Sequence, residues 1–358
     1  MTIDRLAHLA KTRAGQVPDV VRAALPGFQV RSVVLLGQGM DNLVYDVNGA
    51  LVVRFSKEPD PARRAELISS EAELLAAIAG ISPLPVPEPV FTDREHGCWA
   101  HAKLPGVPLL GLPLVQRLAR APVVAARLGT FLAALHAAPA RKMARFADPD
   151  EVPMAEWRDE AAASYATVAD IIPPTQRGTV EAFLAARLPR SAGTLVFSHN
   201  DLGIEHILVV PATGAITGVI DWSDAALTDP ARDFGLLYRD LGPAALTAAL
   251  TSYQVGDIAA LRERAAFYAR CGLLEDLAYG DRTGISAYTD KSLTALHWLF
   301  PATGTPLEVL PPTRPEPAPP ARWLLPFRWR AHVHVAEQPV GPYPDKGGAR
   351  PPGDGREP

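Results

Sequence analysis

Two short apolar runs, Ile207 to Val210 and Ile216 to Ile220, flank the turn-forming tetrapeptide Pro211-Ala212-Thr213-Gly214. That composition predicts a two-stranded antiparallel ribbon. The ribbon sets His206, which precedes the first strand, beside Asp221, which follows the second. Asp201, in the loop Ser198-His199-Asn200-Asp201, is expected one loop away. Two carboxylates and an imidazole therefore converge at one end of two strands, and any fold for this chain must accommodate that convergence.

At 358 residues the chain exceeds what one core usually holds, so two lobes are expected. The first reads as residues 1–104. After an N-terminal helix, strands are predicted at Val33 to Leu36, Leu43 to Val47 and Ala50 to Phe55, with Asn48-Gly49 as a hairpin turn. A helix follows over Pro61 to Ala79, with proline in its first turn and Gly80 beyond its end. Pro83 to Pro89 reads as an extended connector, and a last strand near Trp99 runs into a hinge at Pro105-Gly106.

The second lobe, residues 105–300, reads as mostly helical. Val124, Leu128, Phe131 and Leu135 recur at helical spacing, and further helices are predicted over Pro230 to Asp240, Arg262 to Ala278 and Asp290 to Phe300. The fold class is therefore α+β. Residues 301–358 hold 15 of the 36 prolines and are expected to be largely disordered, with Trp323 to Trp329 as an aromatic and basic docking patch.

Charge and cysteine usage narrow the function classes. A net charge of −4 without a basic stripe argues against nucleic acid as a partner. The sequence shows neither a signal peptide nor an apolar run of about 20 residues, so a cytoplasmic protein with no membrane partner is expected. Cys98 and Cys271 lie in no paired motif and read as buried thiols.

Gly37-Gln38-Gly39 falls between the first two strands, where glycine lets backbone N–H groups approach a phosphate. A plain turn has the same composition. No lysine-bearing phosphate loop is present, and Gly37 does not open a helix, which removes P-loop and dinucleotide folds. In the Pro61 to Ala79 helix, Leu67, Glu71, Leu74, Leu75 and Ile78 share a face by spacing. A carboxylate in an apolar stripe needs a cation, and strand alternation offers Arg54. Such a pair would hold a guanidinium over nucleotide phosphates; a surface arginine and an edge glutamate are the bland alternative.

In the ribbon, Asp201 is placed to orient the proton of an attacking hydroxyl, while His206 and Asp221 reach a metal bridging phosphate oxygens. A hydrogen-bonded pair of ordinary loop residues would also explain His206 and Asp221. His199 reads as a packing residue. Asp229 suits a helix N-cap with Pro230 in the first turn, and Asp233 faces back toward the loop as an acceptor for its N–H groups.

These residues resemble the aminoglycoside phosphotransferase family, which is related to protein kinases. His199 through Leu208 is similar to its catalytic loop, Ile220-Asp221-Trp222 through Asp233 to its metal segment, and Gly37 to Gly39, Arg54, Glu71 and Leu135-His136 to its nucleotide lobe and first core helix. The resemblance implies a two-lobed kinase-like fold, ATP or GTP in the cleft, Mg2+ (Mn2+ as the alternative) and phosphoryl transfer to a small-molecule hydroxyl. It gives catalysis to Asp201, nucleotide binding to Gly37, Gly39, Arg54 and Glu71, and metal binding to His206 and Asp221. Two positions depart from the family: Arg54 stands where lysine is usual, and His206 where asparagine is usual. An aminoglycoside-type acceptor is expected, with Glu156, Asp159, Glu160, Glu275, Asp276 and Asp281 as carboxylates for a polycation or as solvated helix faces. Macrolide and amino-alcohol or sugar kinases, and a non-catalytic nucleotide-binding regulator, are the other readings.

Overall fold

Asn48 and Gly49 both occupy the left-handed region, at φ 61° and 71°. A two-residue turn matched to strand twist requires this conformation. The hairpin is part of a computed structural model that describes residues 3–39 and 41–302. The expectations for Trp323 to Trp329, and for all but the first two residues of the 301–358 tail, lie outside the described residues.

Helix α1 (Ile3–Ala24) precedes strands β1 (Val33–Gln38), β2 (Asn42–Val47) and β3 (Leu51–Ser56), helix α2 (Pro61–Ala79), and strands β4 (Pro89–Asp93) and β5 (Cys98–Ala102). The five strands pair antiparallel in the order β1-β2-β3-β5-β4. Alternation divides the sheet. On one face Leu43, Tyr45, Val53, Phe55 and Ala100 pack with Val17, Val20 and Val21 of α1. The register sets Val44, Arg54 and Trp99 side by side across β2, β3 and β5, so these side chains share the other face.

Pro61 opens α2 and the Asp60 side chain caps it, accepting from the Arg63 N–H at 2.7 Å. The buried stripe of α2 is Ile68, Leu74, Leu75 and Ile78; Leu67 is 38% exposed, a correction to the predicted face. Centring the stripe on Ile68 still leaves Glu71 turned to the sheet, because positions 68, 71, 75 and 78 align on a helix. Strand β4 was not anticipated. It lies at the sheet edge, begins at a proline and exposes Val90, which hides the alternation of a half-buried strand.

The remainder is mostly helical: β6 (Val107–Pro108), α3 (Leu114–His136), α4 (Ala140–Met143), α5 (Met154–Val168), α6 (Pro174–Ala185), β7 (Val196–Ser198), β8 (Ile207–Val209), β9 (Ile216–Val219), β10 (Ala226–Thr228), α7 (Ala231–Leu241), α8 (Pro243–Tyr253), α9 (Ile258–Thr283) and α10 (Ser286–Leu299). The predicted ribbon is β8 paired with β9, and β6 completes a three-stranded sheet. Pro230 is the residue before α7 rather than part of its first turn. Asp229 still serves the helix start, accepting the Ala231 N–H at 2.9 Å. Contrary to the sequence expectation, α3 is long and apolar enough to cross a membrane. Here its apolar positions, among them Val124, Leu128, Phe131, Leu132 and Leu135, are buried in the main core. Gly129 lets α3 meet α8 closely, since a Cβ there would lie 2.2 Å from the Ala249 carbonyl oxygen.

Beneath the segment between β7 and β8 lies a buried charge cluster. Arg239 on α7 bonds Asp240 at 2.7 Å and Asp276 on α9 at 2.8 Å. Lys291 on α10 reaches Glu205 at 3.1 Å, Asp276 at 3.2 Å and Asp240 at 3.6 Å. Burial would raise the Asp240 carboxyl, but Arg239 and Lys291 outweigh it and hold it well below the usual range. A carboxyl depressed in the folded state stabilises the fold above its unfolded value near ~3.9, and that contribution is lost as pH falls through the folded value. The urea midpoint is therefore expected to fall between pH 5 and pH 3, and Asp240→Asn to flatten that slope. An unchanged slope in the variant would contradict this origin.

Candidate active site

The loop between β7 and β8 is fixed from beneath. Asp233 on α7 accepts the His199 N–H at 3.2 Å and the Asn200 N–H at 2.8 Å, and itself contacts His136 of α3 at 3.2 Å. The back-facing role read for Asp233 is thus observed. His199 is fully buried against Trp222, with ring centroids 4.5 Å apart, and burial pushes its imidazole down to about 4. The neutral ring donates from Nε2 to the Ile220 carbonyl at 3.1 Å and accepts the Asp201 N–H at Nδ1, 3.3 Å away. It ties the two acidic loops together. Asn200 and Asp221 each sit at φ 67°, a left-handed conformation that asparagine and aspartate enter more readily than other residues with a side chain.

The three ribbon-end groups do converge. His206 Nδ1 lies 3.5 Å from Asp201 Oδ2, and His206 Nε2 lies 3.9 Å from Asp221 Oδ2. His206 Nδ1 also donates to the Asp201 carbonyl at 2.8 Å, which leaves Nε2 turned to Asp221. Two ligands about 2.1 Å from an octahedral Mg2+ ion lie about 3.0 Å apart when adjacent and about 4.2 Å apart when opposite, so the 3.9 Å between Nε2 and Oδ2 must change by about 0.3 Å to hold one ion. Asp221 supplies the oxygen ligand that magnesium favours, whereas the His206 imidazole suits softer metals.

Arg54 completes the site from the sheet. Its guanidinium reaches Glu71 Oε1 at 3.4 Å, Asp221 Oδ1 at 3.2 Å and Ser223 Oγ at 2.5 Å. Glu71 Oε2 accepts the Trp99 indole N–H at 2.9 Å. Burial pushes the Glu71 carboxyl up, whereas Asp221 is held low because Arg54 and His206 outweigh its burial. Glu71 and Asp221 share the arginine charge, and His206 adds a second cation to Asp221 alone. Gly37 lies within β1, opposite Val44 of β2, rather than between the strands as the sequence suggested, because the pairing runs on to Gln38. Gly39 follows in the turn, where its N–H bonds the Asn42 carbonyl at 3.0 Å. A Cβ on Gly37 would meet nothing within 4 Å, which leaves that side of the strand open.

Burial pushes Asp201 up to about 6, aided by the Glu205 and Asp221 charges and opposed by His206. Burial would lower His206, but Asp201, Asp221 and Glu205 outweigh it and lift the imidazole to about 9. Asp224 rises to about 8 through burial and the Asp201 and Asp221 charges. At neutral pH His206 therefore carries the positive charge of this acidic group, and a metal would have to displace its Nε2 proton. Among the acidic residues read as acceptor contacts, Glu275 and Asp276 are buried, and Asp276 is committed to Arg239 and Lys291; Glu156, Asp159, Glu160 and Asp281 are exposed. Sequence reasoning missed Trp99, Ser223 and Asp150. Alternation along β5 could have found Trp99; no pattern marks the other two.

Residues 32–268 match the model described as the phosphotransferase enzyme family, and the chain belongs to that family. It is a kinase-like phosphotransferase whose acceptor is an alcohol group. Among curated proteins it is similar to viomycin phosphotransferase of Streptomyces vinaceus, at 28% identity over 238 residues, covering 63% of this chain and 78% of that protein. Among solved structures, the GDP and kanamycin complex of APH(2")-IIia aligns with TM-score 0.59 and 22% identity, over 79% of this chain and 97% of that one. Macrolide 2'-phosphotransferase MphH from Brachybacterium faecium aligns with TM-score 0.53 and 26% identity, over 78% and 97%.

Proposed function

We propose that this chain is a cytoplasmic, metal-dependent antibiotic kinase that moves the γ-phosphoryl group of ATP or GTP to a hydroxyl of a polycationic acceptor of the aminoglycoside or viomycin type. The nucleotide lies between residues 1–104 and 105–300. Asp201 orients the acceptor hydroxyl and takes its proton. His206 and Asp221 would hold Mg2+, or Mn2+, which when bound would neutralise charge developing on the phosphates. Arg54, positioned by Glu71, clamps those phosphates, and Gly37 and Gly39, without side chains, let the nucleotide approach the backbone of β1 and the turn after it.

The observation that carries this reading is the convergence of Asp201, His206 and Asp221 within 3.9 Å steps, with Arg54 arriving from the sheet. The Glu205 and Asp221 charges act on Asp201, a negative field that favours an amine beside the reacting hydroxyl. Transfer from ATP and from GTP to viomycin, kanamycin, a macrolide and choline tests it directly. Turnover is expected with viomycin or kanamycin and Mg2+. Turnover confined to the macrolide or choline would replace the acceptor class, and nucleotide binding without any turnover would favour the regulator reading.

A further inference from the structure

Asn200, the residue before Asp201, holds a positive φ of 67° without being glycine. Its backbone N–H is anchored to Asp233, but its side chain turns elsewhere: Nδ2 donates to Asp150 Oδ2 at 3.3 Å. Asp150 belongs to the connector between α4 and α5, fifty residues away in the chain. That connector is fastened along β10. The Asp150 N–H bonds the Leu227 carbonyl at 2.9 Å, the Leu227 N–H bonds the Asp148 carbonyl at 3.1 Å, and Thr228 Oγ1 donates to the Asp150 carbonyl at 2.9 Å. Asp150 also accepts from Arg232 of α7 and from the Val152 N–H. Arg232 is itself stacked over Trp157 of α5, 4.3 Å from the ring centroid.

We infer that Asp150 is a positioning residue for phosphoryl transfer: through its bond to the Asn200 side chain it holds the backbone before Asp201 in the left-handed conformation that aims the Asp201 carboxylate. Asparagine enters this region more readily than other residues with a side chain, yet it still prefers other conformations. Two anchors hold it: Asp233 fixes the amide and Asp150 fixes the side chain. The inference rests on the role given to Asp201 above. It adds that α5 and its connector, remote from the ribbon in sequence, set the geometry of the reacting group.

The test is a double-mutant cycle of Asp150→Ala and Asn200→Gly. Glycine populates positive φ without help, so it removes the need for a brace. The rate read is phosphate release from Mg2+-ATP or Mg2+-GTP with water as acceptor. Asp150→Ala is expected to lower kcat about ten-fold with the nucleotide KM within two-fold, since misaimed groups lose rate before affinity. In the Asn200→Gly background the same change is expected to cost less than two-fold, although the unpaired Arg232 lowers Tm in both backgrounds. Equal kcat losses in the two backgrounds would overturn the inference. Amide exchange over residues 198–202 gives a reading that needs no turnover: Asp150→Ala should speed it several-fold, and unchanged exchange would also overturn the inference. Near-normal turnover in Asp201→Ala would instead remove the underlying assignment, so the two failures are distinguishable.

Discussion

Asp201→Ala is expected to lower phosphoryl transfer by about 10³-fold or more while nucleotide affinity stays within a few-fold. General-base catalysis by a placed side chain is worth about 10²–10⁴-fold, and loss of hydroxyl orientation adds to it. Binding should survive because the groups that would meet the nucleotide are elsewhere: Arg54 is held by Glu71 and Asp221, and Gly37 lies in β1 of the sheet. Burial and the Glu205 and Asp221 charges place the Asp201 carboxyl near 6, close to the range where a base both stays ionised and accepts a proton usefully. Steady-state kinetics with nucleotide titration by fluorescence or calorimetry would check both halves. A variant retaining a tenth of wild-type kcat would remove Asp201 from the reaction.

Much of this arrangement was legible in the chain because it depends on local signals. Asn48-Gly49 fixes its hairpin by backbone sterics, Pro61 starts α2, and the ribbon turn brings His206 and Asp221 together without information from elsewhere. Strand alternation gave Arg54 its face and hence Glu71. The contacts that were not legible join distant segments. Arg54 meets Asp221 across 167 residues and Asp150 meets Asn200 across 50, and neither has a periodicity to announce it. The error at Leu67 has another origin: residues 67 and 68 are both apolar, and the rotation of about 100° between them decides which is buried. Helix α8 was overlooked because its run of alanine, leucine and threonine, opened by Pro243, has no capping side chain and little contrast between faces.

Lys291→Met should destabilise the fold by about 3–5 kcal/mol, the usual result of removing one partner from a buried charge group. Three carboxylates, Glu205, Asp240 and Asp276, share two cations, Arg239 and Lys291, and the lysine side chain is only 3% exposed. Methionine fills similar volume, so packing changes little and the loss is electrostatic. Surface pairs provide the contrast. Arg22 and Asp19 are 2.9 Å apart but largely exposed, and Arg22→Ala should leave the urea midpoint essentially unchanged. The buried group also reaches function, because Glu205 precedes His206 and Asp240 accepts the Ile204 N–H at 3.3 Å. Loss of the ammonium should therefore lower kcat as well as stability, since the freed Glu205 carboxylate lies in the loop that carries Asp201 and His206. Urea unfolding at pH 7 and kcat on the folded variant measure the two effects separately. A Lys291→Met protein as stable as the parent would mean that the cluster retains its balance by protonating a carboxyl, which proton uptake on folding would reveal.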